Sequence, residues 1–229
     1  MDRIARVTDT LKAVIWDFDG TLVDTEPIWA ATEQQMVAEH GVVWTDEMMR
    51  AKVGQHARIS AQQMADACGK PDEADWFYDE LHRRVAGTLL ANDLPYLPGV
   101  VDLIHEIENE GLRASVVTAS AGVILEAARN RLPDVFEFII TSDDVERTKP
   151  HPEPYLQALD RMGLTADEVI ILEDSIPGTQ SALAAGAAVL AFPVAQELEP
   201  HPRMMVRREG LQGIDLAALT DIWRERKDR

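Results

Sequence analysis

The chain has 229 residues, enough to bury a sizeable core as one large domain or as one domain that carries an insertion. Its 22 basic and 40 acidic residues give a formal charge of -18, which argues against nucleic-acid and anionic-membrane partners. A single cysteine, Cys68, excludes an internal disulfide and indicates a reducing compartment. No apolar run reaches the length of a membrane span and the N-terminus lacks a signal-peptide core, so we expect a cytoplasmic protein.

Two carboxylates follow the first apolar run of the chain. Residues 13–16 read Ala-Val-Ile-Trp, as expected for a buried parallel strand, and Gly20 lets the chain turn just beyond it. Asp17 and Asp19 therefore follow the carboxyl end of that strand, where open α/β sheets bind ligands. Two acids this close repel each other unless a cation or a shared proton offsets their charge, and a divalent metal is the economical solution. The alternative is a turn with Asx-type hydrogen bonds and no chemistry.

The next segment of the chain has a helical pattern. Residues 27–41 have a proline near the start and a glycine at the end, as helices often do. Further helical patterns cover residues 45–50, 59–68 and 72–91. No convincing strand interrupts residues 26–94, which predicts a small helical bundle inserted after the first strand. Its most polar interhelical loop, residues 53–58, contains Gly54, where the backbone can approach a ligand closely.

Hydroxyl groups and a lysine follow two later strands. The strand that starts at Arg113 ends in Thr118, Ala119 and Ser120, and a helix begins almost at once. The free N–H groups at the start of such a helix can bind phosphate, although Thr118 and Ser120 can also be simple helix caps. After a third strand, Lys149 lies in a loop that three nearby prolines stiffen. The alternative for Lys149 is a solvated surface charge.

The fourth strand repeats the opening pattern. An apolar run leads to Glu173 and Asp174, and a helix of small residues follows. Carboxylate oxygens at the ends of parallel strands suit Mg²⁺. Because adjacent strand residues point to opposite faces, we expect one acid to bind metal directly and the other to act through water or a neighbour. The last predicted elements are a strand at 187–192, an edge strand at 204–207, a helix at 216–224 and a frayed tail at 225–229.

The order of these motifs resembles that of the haloacid dehalogenase-like (HAD) phosphohydrolase superfamily. The similar segments are Asp17-Phe-Asp19-Gly20-Thr21, then Thr118, then Lys149-Pro150 with the prolines that follow, then Glu173-Asp174. The similarity is greatest to the sugar-phosphate phosphatases and β-phosphoglucomutase of that superfamily. The resemblance implies an α/β fold with a doubly wound parallel-sheet, Rossmann-like core at residues 1–25 and 95–229. It also implies an inserted α-helical cap domain at residues 26–94.

The resemblance implies catalytic and metal-binding roles for the acids. Asp17 would be the nucleophile, and Asp19 would be the general acid and base. A magnesium ion would be held by Asp17, the backbone carbonyl of Asp19 and Asp174. Glu173 would either support this site from behind the direct ligands or bind the metal itself.

The resemblance also implies positions for phosphate binding and for substrate choice. The phosphate-binding residues would be Thr118, Ala119 and Lys149. The residues at the specificity position of the cap are Gly54, His56 and Arg58, with a solvated interhelical loop as the alternative. Since the net negative charge repels a phosphorylated substrate at long range, the site needs its own metal and lysine.

The expected activity is hydrolysis of a small phosphorylated metabolite, a sugar phosphate by resemblance, through an aspartyl-phosphate in a monomer. The first alternative is a phosphomutase, but Trp29 stands where the mutase has a histidine, and the mutase's loop arginine has only His56 and Arg58 as its nearest counterparts. A dehalogenase has no use for Asp19 or for a pair of magnesium ligands. A binding protein without turnover is the last alternative, although all the chemical residues are present.

Overall fold

The computed structural model describes residues 10–45, 48, 57–192 and 197–229. The strands are β1 Ala13–Trp16, β2 Arg113–Val117, β3 Phe136–Ile140, β4 Val169–Glu173, β5 Ala188–Ala191 and β6 Met204–Val206. The helices within these residues are α1 Glu26–Ala38, α2 Ala57–Ala67, α3 Ala74–Ala91, α4 Val100–Asn109, α5 Gly122–Arg129, α6 Glu153–Met162, α7 Ile176–Ala184 and α8 Leu216–Lys227. None of the described helices is both long and apolar enough to cross a membrane.

The six strands of the described residues form one parallel sheet in the order β3-β2-β1-β4-β5-β6. The first strand of the chain therefore lies inside the sheet, and the order runs outward from it in both directions. This is the doubly wound arrangement, in which ligands bind beyond the carboxyl ends of the strands near the reversal of strand order. The α/β fold class predicted from the sequence is confirmed.

The sheet forms because its strands are short apolar runs that can be covered on both faces. Every residue of β1, β4 and β5 is buried, as expected for parallel strands. Ile15 and Ile171 pack in one core cluster with Tyr155 of α6. Close packing in this cluster restricts the movement of the strand ends, where the polar motifs begin.

Two compact units make up the chain. The first unit contains the described residues up to Leu22, Tyr96–Ala119 and Pro133–Arg229, and hence the whole sheet. The second unit contains Val23–Pro95 and Ser120–Leu132. Its helices among the described residues are α1, α2, α3 and α5, although α5 follows β2 in the chain.

The second unit is a helical bundle with its own apolar core. Its fully buried side chains include Met64, Phe77, Leu81 and Ile124. Arg131 lies just after α5. Its guanidinium group donates hydrogen bonds to the carbonyl groups of Leu89, Asn92 and Ala127. Because the last carbonyls of a helix lack partners within the helix, Arg131 completes the end of α3.

The C-terminal helix is longer than the sequence predicts. The prediction of a frayed tail at residues 225–229 is wrong for residues 225–227, because α8 continues to Lys227. The ammonium group of Lys227 lies 4.9 Å from the ring centre of Trp223, and its side chain is 10% exposed. Two other expectations concern segments that lie mostly outside the described residues, namely the helix at 45–50 and the loop at 53–58.

Candidate active site

The site starts at Asp17, the first residue after β1. Its backbone N–H donates to the carbonyl of Leu172 at 3.0 Å, so pairing with β4 continues past the end of the strand. This pairing fixes the backbone of Asp17, and only 6% of the residue is exposed. A buried carboxylate needs charged or polar partners.

Lys149 supplies that partner. Its side chain is 2% exposed, and its ammonium group donates to Oδ1 of Asp17 at 2.7 Å. It also donates to Oε1 of Glu173 at 2.6 Å and to the carbonyl of Val117 at 2.9 Å. The three N–H donors of the ammonium group thus have three acceptors, which come from the ends of β1, β2 and β4. Lys149 is therefore not a surface charge.

Glu173 is fully buried at the end of β4. Its Oε1 accepts from Lys149 and, at 2.6 Å, from the hydroxyl group of Tyr155. Its Oε2 accepts from the Ser175 hydroxyl at 3.1 Å, and this hydroxyl in turn caps α7 by accepting from the N–H of Gly178. Both carboxylate oxygens of Glu173 are therefore engaged by protein groups.

Glycine permits the close packing around Glu173. A Cβ atom at Gly178 would lie 2.0 Å from the carboxylate of Glu173. The small residue therefore leaves the space that the carboxylate occupies at the start of α7.

Asp174 completes an acidic cluster. One carboxylate oxygen each from Asp17, Glu173 and Asp174 lies within 4.8 Å of the others. The expected alternation of Glu173 and Asp174 does not keep them apart, because β4 ends at Glu173 and Asp174 lies beyond it. Oxygen donors in this arrangement fit a hard divalent cation such as Mg²⁺. The cluster supports metal binding by this donor set without identifying the metal.

The pKa values follow from burial and crowding. Burial raises the pKa of Asp17 to about 7 against the pull of Lys149, and the charges of Glu173 and Asp19 add to the rise. Burial also raises the pKa of Asp174 well above its ordinary value, with Asp17 and Glu173 adding to the effect. Burial alone would lower the pKa of Lys149, but Asp17 and Glu173 together raise it above its ordinary value. Lys149 thus carries a positive charge. Asp17 and Asp174, in contrast, favour a proton or a cation that offsets their negative charge.

Asp19 and Thr118 form a second contact beside the cluster. The hydroxyl group of Thr118 donates to Oδ2 of Asp19 at 3.4 Å, which is long for a hydrogen bond between oxygens. Helix α5 has Ala121 as its N-cap, without a side-chain capping hydrogen bond. Thr118 is nearly fully buried, and the adjacent Ala119 is exposed. The hydroxyl group of Thr118 therefore lies beside the Asp19 carboxylate, which is not one of the three carboxylates of the acidic cluster.

The specificity residues predicted in the helical unit are only partly described. Gly54 and His56 lie outside the described residues. The guanidinium group of Arg58 lies 3.2 Å from Oδ1 of Asp75 and 4.4 Å from the ring centre of Tyr78. Within its own unit, Arg58 therefore makes an ion pair and a cation–π contact.

Sequence reasoning missed three residues that shape the site: Tyr155, Ser175 and Gly178. The N-terminal position of Ser175 before a helix was a readable capping signal. The contact of Tyr155 with Glu173 had no signal in the sequence, because it depends on how α6 packs against β4.

The geometry agrees with the family assignment. Residues 14–192 match the family described as haloacid dehalogenase-like hydrolase. The match spans most of the chain, so the protein belongs to the haloacid dehalogenase-like hydrolases, and the predicted family is confirmed.

Its relatives include several enzymes named as phosphatases. The chain is 27% identical to the phosphorylated carbohydrates phosphatase of Thermotoga maritima, over 77% of this chain and 82% of the relative. It is 32% identical to the N-acetylmuramic acid 6-phosphate phosphatase of Pseudomonas aeruginosa, over 79% of this chain and 81% of the relative. The fold is shared with CbbY from Rhodobacter sphaeroides in complex with phosphate, with a TM-score of 0.77, 24% identity, and coverage of 92% of this chain and 99% of that chain.

Proposed function

We propose that the protein is a magnesium-dependent phosphomonoesterase that hydrolyses a small sugar phosphate through an aspartyl-phosphate at Asp17. The observation that carries this proposal is the ammonium group of Lys149, which bridges Asp17 and Glu173 at 2.7 and 2.6 Å. A buried cation beside a carboxylate lowers the cost of bringing a phosphate dianion to that carboxylate.

In the first step, a carboxylate oxygen of Asp17 attacks phosphorus and forms a new P–O bond. The ester P–O bond breaks, and Asp19 gives a proton to the leaving oxygen, so a neutral alcohol departs. Lys149 and Thr118 stabilise the negative charge of the transferred group, and the backbone N–H of Ala119 is proposed to do the same. The hydroxyl group of Thr118 lies 3.4 Å from Oδ2 of Asp19, so the two groups are neighbours at the proposed reaction centre.

In the second step, Asp19 takes a proton from water, which attacks the phosphorus of the aspartyl-phosphate. The P–O bond to Asp17 breaks, and inorganic phosphate and the free carboxylate result. A general acid and base of this kind contributes roughly a hundredfold to ten-thousandfold to the rate. The same residue therefore serves both half-reactions.

Asp17, Asp174 and the backbone carbonyl of Asp19 are the proposed magnesium ligands. The cation supplies charge neutralisation and Lewis-acid polarisation of the phosphate oxygens. Glu173 is proposed to support the ligand set without binding the cation directly, because Lys149, Tyr155 and Ser175 already occupy its oxygens.

The substrate class rests on the relatives whose names state phosphorylated carbohydrates and a sugar 6-phosphate. We propose that the cap at residues 26–94 selects the substrate through Gly54, His56 and Arg58. A monomeric state and a cytoplasmic location remain predictions. Trp29 in place of the mutase histidine favours hydrolysis over phosphoryl transfer within a sugar.

The test is phosphate release from a panel of sugar and other small phosphomonoesters, with Mg²⁺ and with EDTA, for wild type, Asp17→Asn and Asp102→Asn. Asp102 is an exposed carboxylate of α4 and serves as the matched control. We expect metal-dependent release that Asp17→Asn lowers by at least about a thousandfold and that the control leaves intact.

Other outcomes of the same assay would count against the proposal. Conversion of a sugar 1-phosphate into its 6-phosphate without phosphate release would establish a mutase. Tight binding of Mg²⁺ without turnover of any substrate in a broad panel would leave either a narrow substrate outside the panel or a binding protein.

A further inference from the structure

Tyr155 has a buried hydroxyl group for which the proposed chemistry has no direct use. The residue lies in the first half of α6 and has no exposed surface. Its ring packs in the core cluster of the sheet, and the ammonium group of Lys149 lies 5.0 Å from the ring centre. A phenylalanine would fill the same space and keep the same ring contact. The hydroxyl group therefore adds no packing.

The hydroxyl group has one defined contact, Oε1 of Glu173 at 2.6 Å. The same oxygen accepts from the ammonium group of Lys149, also at 2.6 Å. Burial of a hydroxyl group is costly unless it is hydrogen-bonded, and its bond to an ionised acceptor is stronger than one between neutral groups. The contact is therefore a strong one that reaches the lysine through a shared oxygen.

Lys149 lies between two competing carboxylates. Its ammonium group is 2.7 Å from Asp17 and 2.6 Å from Glu173. A hydrogen bond from Tyr155 withdraws part of the negative charge of Oε1 and fixes the rotation of the Glu173 carboxylate. The first effect weakens the pull of Glu173 on the ammonium group, and the second prevents the carboxylate from turning further toward it, so the ammonium group stays directed at Asp17.

We propose that the Tyr155 hydroxyl is a positioning group, which holds Glu173 so that Lys149 remains directed at Asp17 and at the transferred phosphoryl group. This inference rests on the proposed function of the site. Without the hydroxyl group, the ammonium group moves toward Glu173, and stabilisation of the transition state falls. The loss appears in kcat because it concerns the reacting group rather than the sugar.

The test compares wild type, Tyr155→Phe and Ser115→Ala in the full chain. Ser115 is the matched control, because its hydroxyl group is buried in β2 and has no hydrogen-bond partner among the described residues. With a sugar 6-phosphate and saturating Mg²⁺, we expect Tyr155→Phe to lower kcat by about 10- to 100-fold, as the loss of an outer-shell partner does. KM should change by less than about threefold.

An unchanged kcat in Tyr155→Phe would overturn the proposal. So would a rise in KM at constant kcat, because that pattern belongs to substrate binding. An equal loss of kcat in Ser115→Ala would also overturn it, since any cavity in the core would then have the same effect.

A readout without turnover separates this proposal from the proposed function. The buried ammonium group of Lys149 can be followed by its ¹H–¹⁵N NMR signal, which Lys149→Met identifies by its disappearance. We expect Tyr155→Phe to shift this signal and Ser115→Ala to leave it in place. A shift in a protein that hydrolyses no phosphomonoester would support the positioning contact and refute the phosphatase. A signal that does not move would refute the positioning role.

Discussion

A Cβ atom placed on Gly20 would lie 2.2 Å from Oδ2 of Asp174. The backbone of Gly20 also has a φ of +77°, a conformation that L side chains rarely adopt. Gly20 belongs to the turn after β1, and Asp174 follows β4, so the absence of a side chain at Gly20 lets the Asp174 carboxylate approach the backbone of this turn closely. The carboxylate of Asp174, a proposed metal ligand, occupies the space that a side chain at position 20 would need.

The first prediction concerns Gly20→Ala. The new methyl group must displace the carboxylate of Asp174, and we expect phosphatase activity to fall by at least about a hundredfold because a misplacement near 1 Å has that effect. The measurement is kcat/KM with saturating Mg²⁺, together with Mg²⁺ affinity by titration calorimetry.

Gly111→Ala is the control for backbone strain. Gly111 has a φ of +67°, and an added methyl group would meet no described atom within 4 Å, so this position shares the strain but not the clash. The control should lose roughly 1–2 kcal/mol of stability and keep its activity. Equal activity in the two variants would contradict the role assigned to Gly20.

The second prediction concerns Lys149→Met, which removes a buried cation and leaves the carboxylates of Asp17 and Glu173 without it. We expect the free energy of unfolding to fall by about 3–5 kcal/mol, because an uncompensated buried charge is costly. Activity should disappear as well. The measurement is chemical denaturation in EDTA.

Lys12→Met provides the comparison with an ion pair whose lysine is partly exposed to solvent. Lys12 lies 2.6 Å from Glu168, with 38% of its side chain exposed. We expect this variant to change stability by no more than about 1 kcal/mol. Similar losses of stability in Lys12→Met and Lys149→Met would show that burial of Lys149 does not make its removal more costly.

The third prediction is that Mg²⁺ binds more weakly as the pH falls below about 7, the raised pKa of Asp17. The carboxyl proton competes with the cation, so the affinity should change by up to about tenfold per pH unit for one displaced proton. Titration calorimetry in buffers of different ionisation enthalpy measures both the affinity and the protons released. An affinity that stays constant across this range would count against Asp17 as a ligand.

The raised pKa of Asp17 also determines whether folding stability rises or falls with pH. Between its ordinary pKa of 3.8 and about 7, Asp17 holds a proton in the metal-free folded protein that the unfolded chain has released. Its contribution to stability is therefore lost as the pH rises through that window. Mg²⁺ should raise Tm more at about pH 8 than at about pH 5, which thermal scans with and without EDTA can measure.

The fourth prediction concerns Arg131→Ala in the helical unit. The variant leaves the carbonyl groups of Leu89 and Asn92 at the end of α3 without their guanidinium partner. We expect a loss of about 1–3 kcal/mol and faster hydrogen exchange in the last turn of α3. Arg129→Ala, at an exposed residue of α5, should have little effect on either measurement. Protection that is unchanged in Arg131→Ala would mean that solvent replaces the guanidinium group.

The positions of the acids were predictable because each acid follows an apolar run that is recognisable in the local sequence. Apolar runs identified β1 and β4, and the acids that follow them lie at the predicted strand ends. Lys149 was harder, since a lysine is normally exposed, and only its motif distinguished it from a surface charge. Its contacts with Asp17 and Glu173 required the completed sheet.

Other features depended on packing that no local pattern reveals. Helix α5 follows β2 but belongs to the helical unit, because its apolar residues pack against α3. The end of α8 was misread for a related reason. Lys227 is charged, yet its chain lies along Trp223, as long amphipathic side chains can do. A prediction based only on the polarity of residues 225–229 therefore ended this helix too early.

The register of β1 has a consequence for the order of events during synthesis. Ala13 pairs with Arg113 on one side and with Val169 on the other. Strand β1 is therefore synthesised before both of these neighbours and waits for them while the helical segment is made. Because contacts this distant in sequence form slowly, a nascent chain that stops before β4 carries an apolar strand with an open edge. Completion of the acidic cluster of Asp17, Glu173 and Asp174 and protection from aggregation thus occur in the same late step.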